Sequence, residues 1–103
     1  MRIYISGPIN GVANYREAFN GTAQLIRALG HMPINPARHP DGLTLREYMR
    51  MDLLDLMDAD AVYMIPGWME SSGALVERAL AQYLDMPIFY NMDRIPDHSE
   101  PEI

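Results

Sequence analysis

The sequence predicts an α/β domain in which helices cover both faces of a parallel sheet. Short apolar segments rich in β-branched residues alternate with longer segments whose apolar residues follow helical spacing, and Gly and Pro residues separate them. The resulting order β-α-β-α-β-α-β is typical of a parallel sheet, because every parallel strand needs a crossover connection. In a chain of 103 residues this pattern predicts one domain over residues 1–91, followed by a loose polar tail over residues 92–103.

The first predicted unit is a strand followed by a long helix. Residues 2–6 are short, apolar and β-branched, and a turn-rich loop from Gly7 to Gly11 follows them. Asn14 is a favourable N-cap, and Glu17 three residues later completes the pattern of a capping box. Apolar residues at helical spacing then predict a helix over residues 15–29.

The second predicted unit is a short strand and a helix with two apolar faces. Gly30 is suited to end the first helix, and residues 31–35 predict the second strand. Thr44 is expected to cap a helix that extends to Met57. This helix is apolar nearly all round, which predicts that one face packs on the sheet and the other contacts a second subunit.

The third predicted unit leads into the last strand. Residues 61–65 predict the third strand, a turn and an exposed loop occupy residues 66–72, and a helix begins at Gly73. Residues 87–90 predict the fourth strand. Right-handed crossovers favour the flavodoxin-like order 2-1-3-4, which places the first and third strands side by side. The loops after these two strands would then form a crevice, and this crevice is the predicted site.

Composition excludes several classes of function. Without Cys, neither a disulfide framework nor a Cys-based zinc site is possible, and His31 and His39 lack partners at metal-ligand spacing. The amino terminus has no signal-peptide anatomy, and no apolar run approaches the ~20 residues of a membrane span. A net charge of −6 disfavours nucleic acid polymers. We therefore expect a cytoplasmic protein that binds a small molecule and needs no cofactor.

Glu77 and Asp52 are the candidate functional carboxylates. Glu77 lies about one turn inside the third helix between small neighbours, although an ordinary solvated position is equally compatible with its spacing. Asp52 lies in an apolar stripe, where burial is costly unless the carboxylate is paired or used. An ion pair with Arg46 or Arg50 is the alternative for Asp52. Two carboxylates around one sugar carbon are what glycosidic cleavage needs.

The loops offer weaker candidates, and each has a plain structural alternative. The loop from Gly7 to Gly11 would hold a phosphate or ribose through backbone amides, or form an ordinary turn. One of Ser71 and Ser72 is expected to be an N-cap, which leaves the other free for a ligand. Trp68 would stack on a base or cover the loop.

Together these residues resemble the nucleoside 2-deoxyribosyltransferase superfamily, in particular its small bacterial and phage members. The likeness covers residues 1 to about 90. Its motifs are Ile3-Tyr4-Ile5-Ser6-Gly7-Pro8-Ile9, the helix holding Asp52, Ala59-Asp60-Ala61-Val62, and above all Gly67-Trp68-x-x-Ser71-x-Gly73-Ala74-x-x-Glu77.

The resemblance implies a flavodoxin-like homodimer or higher oligomer that acts on the N-glycosidic bond of a nucleoside or nucleoside 5′-monophosphate. Glu77 matches the family nucleophile, and Ser71, six residues earlier, matches a family Ser. Asp52 matches an Asp eight residues before the Ala-Asp strand start, and Tyr4 matches a Tyr in the first strand. The implied substrate-binding residues are Tyr4, Gly7, Ile9, Asn10, Gly11, Trp68, Ser71 and Gly73.

One motif departs from the family pattern. The monophosphate glycosidases carry a Ser and an Arg in the phosphate-binding loop, where this sequence has Pro8 and Asn10. The sequence therefore leaves open whether a 5′-phosphate is recognised, and whether the sugar passes to water or to a second base. A non-catalytic nucleotide-binding protein of bacterial or phage origin is the alternative function.

Overall fold

The structure, a computed structural model that describes residues 1–100, contains a four-stranded parallel sheet. The strands are β1 (Arg2–Ser6), β2 (Met32–Ile34), β3 (Ala61–Met64) and β4 (Ile88–Phe89). Their order is β2-β1-β3-β4, and all three pairings are parallel. The predicted α/β class and the flavodoxin-like strand order are confirmed, although three strands are shorter than predicted.

Three helices complete a three-layer arrangement. They are α1 (Tyr15–Ala28), α2 (Leu45–Met57) and α3 (Ser72–Tyr83), and short 3₁₀ turns occupy Pro36–Arg38, Trp68–Glu70 and Met92–Arg94. Buried residues of α1 pack on one face of the sheet, and those of α2 and α3 pack on the other. None of the helices within residues 1–100 is long and apolar enough to cross a membrane.

The two faces of the sheet follow from the alternation of side chains along β1. Ile3 and Ile5 contact the α1 layer, whereas Tyr4, between them, contacts the layer of α2 and α3. None of these three side chains is exposed. The same alternation continues in β3, where Val62 and Met64 face α2 and α3.

The helix starts differ from the prediction at one cap. Thr44 and Glu47 form a complete capping box at the start of α2. Asn14 occupies the N-cap of α1 but makes no side-chain cap hydrogen bond, so the capping box predicted there with Glu17 is wrong. The reason is local geometry, because Asn14 has a ψ of 33° and not the extended backbone that directs a capping side chain toward the helix.

The polar segment after β4 is docked on the domain within the described residues, and the loose tail predicted there is wrong. Ile95 is 4% exposed and belongs to the apolar cluster of the α1 face. The backbone N–H of His98 donates to the carbonyl of Leu29 at 2.7 Å. An apolar side chain and a backbone hydrogen bond thus anchor this polar segment; residues 101–103 lie outside the described part.

The loops after β1 and β3 meet, as the strand order predicts. The backbone N–H of Ile65 donates to the carbonyl of Ser6 at 2.8 Å. A Cβ at Gly7 would lie 2.8 Å from the Cβ of Ile65, so the close approach of the two loops requires glycine there. The carboxyl ends of the two central strands therefore share one edge of the sheet.

Candidate active site

Glu77 is buried at the carboxyl edge of the sheet. It lies on α3, five residues after Ser72 begins that helix, and only 5% of its surface is exposed. Ala74 and Ala81, three residues before it and four after it, are also buried, so their small side chains let this part of α3 pack closely on the sheet. The solvated alternative for Glu77 is therefore excluded by its burial, whereas its catalytic role stays a prediction.

Two hydroxyl groups of β1 hold the Glu77 carboxylate. The Tyr4 hydroxyl donates to Oε2 at 2.9 Å, and the Ser6 hydroxyl donates to Oε1 at 2.6 Å. Tyr4 and Ser6 are two residues apart on a strand, so both side chains point to the same face of the sheet. Both are fully buried. Each carboxylate oxygen thus has its own donor, which fixes the orientation of the group.

Asp52 supplies a second buried carboxyl group from α2. It is 8% exposed, and its Oδ1 has no hydrogen-bond partner within the described residues. Neither Arg46 nor Arg50 pairs with it there, so the alternative of an ion pair with one of these arginines is not observed. Its neighbour is His39, whose Nε2 lies 3.4 Å from Oδ1. Arg46 and Arg50 are exposed on α2, whereas the loop before α2 brings His39 close to Asp52.

The two carboxyl groups have different electrostatic surroundings. Burial raises the pKa of Glu77 to about 6, although the hydrogen bonds from Ser6 and Tyr4 act in the opposite direction. Burial first, and then the negative charge of Glu77, raise the pKa of Asp52 to about 7, while His39 lowers it. At neutral pH the Glu77 carboxylate is therefore mostly ionised, and Asp52 is protonated in a substantial fraction of molecules.

The loop from Gly7 to Gly11 has structural reasons for its glycines. Gly7 allows the approach to β3 described above, and Gly11 has a φ of +78°, which favours glycine. Ile9 packs against the apolar cluster of the α1 face, and its carbonyl accepts from Val12 N–H at 3.2 Å. Asn10 is exposed. These contacts describe a turn, and a role in ligand binding stays a prediction.

The loop before α3, together with the first residues of that helix, is the second of the two loops predicted to form the crevice. Ser71 is the N-cap, because its hydroxyl accepts from the N–H of Ala74 at 3.2 Å. A Cβ at Gly73 would lie 3.8 Å from the Met49 Cε, so this position adjoins α2. Trp68 stacks against Tyr90 with ring centroids 5.5 Å apart, and the Arg78 guanidinium lies 4.9 Å from the indole. Trp68 thus covers the loop in this structure.

Residues 1–90 match the model of a protein family described as a domain of unknown function, DUF4406. The chain belongs to this family. No curated protein matches the DUF4406 chain. Among solved structures, it is similar to the 2-deoxyribosyltransferase of the psychrotolerant bacterium Bacillus psychrosaccharolyticus, described as a biocatalyst for the synthesis of nucleosides. The TM-score is 0.67 at 20% sequence identity, over 85% of this chain and 69% of that chain, which establishes a shared fold.

The DUF4406 domain brings together residues that the sequence analysis did not group. Ser6 joins Tyr4 on Glu77, and a hydroxyl two residues after a strand Tyr is a signal that could have identified it. His39 contacts both Asp52 and Asp55, and the i, i+3 spacing of those aspartates is the corresponding signal. No group of residues that could hold a metal ion is found within residues 1–100.

Proposed function

We propose that this DUF4406 protein cleaves the N-glycosidic bond of a deoxynucleoside or its 5′-monophosphate, with Glu77 as the nucleophile. The observation that carries the proposal is the buried Glu77 carboxylate, held by two hydroxyl donors beside a second carboxyl group with a higher pKa. A pair of carboxyl groups in unlike surroundings is suited to divide nucleophilic and acid roles between them.

In the first step the ionised Glu77 attacks C1′ of the sugar. A bond forms between a carboxylate oxygen and C1′, the C1′–N bond breaks, and its electron pair goes to the departing base. The hydrogen bonds from Tyr4 and Ser6 orient the carboxylate for this attack. Asp52 supplies the proton that the base needs, since a pKa of about 7 keeps a protonated fraction available at neutral pH.

The second step returns the enzyme to its starting state. Water or a second base attacks C1′, the ester bond to Glu77 breaks, and the proton of the attacking group passes to Asp52. Hydrolysis and transfer differ only in this acceptor, so the exclusion of water decides between them. The fold shared with an enzyme named 2-deoxyribosyltransferase supports a deoxyribosyl group as the transferred sugar.

The two loops at the carboxyl edge supply the proposed substrate contacts. The backbone of residues 7–11 would hold the 5′ end of the sugar together with Ser71, whose hydroxyl accepts the N-cap bond and keeps its hydrogen for a ligand. Trp68 would flank the base. Because Glu77 is only 5% exposed, a substrate has to displace one of these loops before C1′ reaches the carboxylate. We include a homodimer in the proposal, because exposed apolar residues of α2 would be covered in one.

A panel of deoxynucleosides and their 5′-monophosphates tests the proposal, with free base measured by chromatography. Wild-type protein should release base from at least one member. Glu77→Gln should lower the rate by about 10³-fold or more while the fold and substrate binding remain. Asp52→Asn should lower turnover while leaving the fold intact. Glu17→Gln is the matched control, because Glu17 is exposed on α1, on the opposite side of the sheet.

The outcomes separate an enzyme from a binding protein. Thermal stabilisation by a nucleotide without any release of base would favour the non-catalytic nucleotide-binding alternative. Near-wild-type turnover of Glu77→Gln would remove Glu77 from the role of nucleophile even if the activity itself is found.

A further inference from the structure

His39 lies between two aspartates of α2. Its Nε2 is 3.1 Å from Oδ2 of Asp55 and 3.4 Å from Oδ1 of Asp52. The aspartates are three residues apart, so both lie on the face of the helix that meets the loop before α2. One ring nitrogen therefore contacts the carboxyl group proposed to protonate the base and a second, less buried one.

The loop that carries His39 is held at both ends. The Arg16 Nε donates to the carbonyl of Ala37 at 3.3 Å, two residues before His39. The Tyr48 hydroxyl donates to the carbonyl of Pro40 at 2.8 Å, one residue after it. These contacts come from α1 and α2, so the position of the imidazole is set by the fold.

A single Nε2–H can form a good hydrogen bond to one of the two carboxylates at a time. In this structure the distance and angle favour Asp55, and Oδ1 of Asp52 is buried without a partner. A buried carboxyl oxygen without a donor is tolerated when the group is neutral and is costly when it is charged. The unpartnered Oδ1 therefore fits a protonated Asp52. When Asp52 is charged, the Nε2–H of His39, 3.4 Å away, is the donor that can reach it.

We infer that His39 is a positioning residue that moves its Nε2–H from Asp55 to Asp52 when Asp52 gives its proton to the leaving base. The inference rests on the proposed function for its timing in the reaction. Tyr4 of β1 lies close enough for Asp52 to help raise the Tyr4 pKa, but the Tyr4 hydroxyl donates to Glu77. The groups that act on the pKa of Asp52 are Glu77 of α3, Asp55 of its own helix and His39 of the loop. Among them, only His39 can stabilise the charge that appears on Asp52.

Asp55 holds His39 in place between turnovers. It is half-buried, and its removal would leave Asp52 as the remaining carboxylate partner of Nε2 among the described residues. The two residues thus have opposite effects on Asp52. Loss of His39 should make the charged form harder to reach, whereas loss of Asp55 should make it easier.

Titration of the Asp52 side-chain carboxyl carbon by NMR tests the pairing without any turnover. In the wild type the midpoint is expected at about 7. In His39→Leu it should rise by at least about half a pH unit, and in Asp55→Asn it should fall by a similar amount. Asp58→Asn is the matched control, because Asp58 is exposed at the end of α2 and should leave the midpoint unchanged. His39→Phe, which keeps a ring of similar shape but has no donor, serves if His39→Leu does not fold.

The kinetic arm uses the same variants on a substrate found in the nucleoside panel. His39→Leu should lower kcat by about tenfold with little change in KM, and the alkaline limb of the pH profile should move upward with the Asp52 midpoint. His39→Gln, which keeps a donor but cannot titrate, should recover part of kcat.

Each result bears on one of the two proposals. An Asp52 midpoint unaffected by His39→Leu and Asp55→Asn would overturn the role of His39. Midpoints that move as expected, in a wild-type protein that releases no base, would support the pairing and overturn the proposed function.

Discussion

The two faces of the central sheet are built from the same strands but have different contents. On the α1 face, Ile3 and Ile5 of β1 pack against Phe19 and Ile26, and the buried cluster consists of apolar side chains with the Tyr63 ring among them. On the face of α2 and α3, the residue between those two isoleucines is Tyr4, and the residue after them is Ser6. Both are fully buried and both donate to a buried carboxylate.

Within β1, the residues on one face stabilise the fold by apolar burial, and the residues on the other face hold a buried carboxylate. Burial of apolar surface stabilises the α1 face, at roughly 25 cal/mol for each Å² removed from water. On the other face, burial disfavours the charged forms of Glu77 and Asp52 and raises the pKa of each. Groups kept in such surroundings against stability are candidates for function. Truncating an apolar residue on the α1 face should therefore lower the free energy of unfolding, whereas neutralising a buried carboxylate on the other face should raise it at alkaline pH.

The largest expected effect is on the α1 face. Phe19 is 1% exposed, so Phe19→Ala should lower the free energy of unfolding by about 3–5 kcal/mol, through lost burial and the cavity left behind. Urea denaturation measures this loss. Leu25→Ala on the same helix is the control, because Leu25 is 55% exposed and its truncation should cost far less. A loss below about 1 kcal/mol in Phe19→Ala would contradict apolar burial on this face as a main source of the free energy of unfolding.

On the polar face, Glu77 alone should give a pH signature of about 2 kcal/mol. Because the pKa of Glu77 is raised from 4.5 to about 6, the folded state holds this proton more tightly than the unfolded state. Stability from this group is complete below about 4.5 and is lost as the pH rises through 6. A shift of this size corresponds to about 2 kcal/mol. Asp52, with a pKa raised from 3.8 to about 7, extends the loss to about pH 7.

Glu77→Gln should remove the part of the slope that belongs to Glu77. Its free energy of unfolding should therefore exceed that of the wild type at pH 8 by up to about 2 kcal/mol and approach it at pH 4. Asp52→Leu should likewise be most stabilising at alkaline pH. Denaturation curves at several pH values measure both differences. Equal slopes in the wild type and in Glu77→Gln would contradict the raised pKa.

The sequence predicts the features of the fold that are caused by neighbouring residues, and it misses those that depend on distant contacts. The alternating strand and helix patterns identify the α/β class and the strand order, because periodicity and crossover rules act along the chain. The same rules bring the loops after β1 and β3 together. Asn14 makes no cap hydrogen bond because of its backbone angles, and Ile95 docks through contacts with residues distant in the chain. A short stretch of sequence contains neither kind of information.

The candidate site likewise has residues that the sequence predicts and contacts that it does not. Asp52 stands out in the sequence as a carboxylate in an apolar stripe, and Glu77 as one between small neighbours, although a solvated position is equally compatible with the spacing of Glu77. The contact of Ser6 with Glu77 spans 71 residues, and the approach of His39 to Asp52 depends on how a loop folds back over α2. Such contacts follow from the packed structure, so the sequence predicts the carboxylates better than it predicts the groups that hold them.

A smaller effect is expected from Tyr4, one of the two hydroxyl donors to Glu77. Tyr4→Phe removes one donor from Glu77, so it should cost about 1–2 kcal/mol at pH 8, where the carboxylate is charged, and less at pH 4. The pKa of Glu77 should rise further, because the Tyr4 hydrogen bond lowers it. Tyr63→Phe, on the opposite face of β3, is the control for loss of a hydroxyl group. NMR titration of Glu77 in both variants measures the difference.

The smallest effect on folding is expected at the outer surface of α2. Leu54 is 61% exposed, so Leu54→Glu should change the free energy of unfolding by no more than about 0.5 kcal/mol. If this surface is the homodimer interface, the same change should weaken self-association, which light scattering measures. Leu25→Glu on α1 is the matched control. A wild-type protein that is monomeric at micromolar concentrations would contradict the proposed interface.

The most direct measurement of the central claim is the mass of the protein during turnover. A 2′-fluorinated nucleoside, which slows the loss of the sugar from the enzyme, should leave a glycosyl adduct on the wild-type chain. Peptide mapping should place that adduct on Glu77, and Glu77→Gln should carry none while Glu17→Gln, changed on the opposite side of the sheet, carries it normally. An adduct on another residue, or base release by the wild type with an unmodified Glu77 throughout, would contradict the account of Glu77 as the nucleophile.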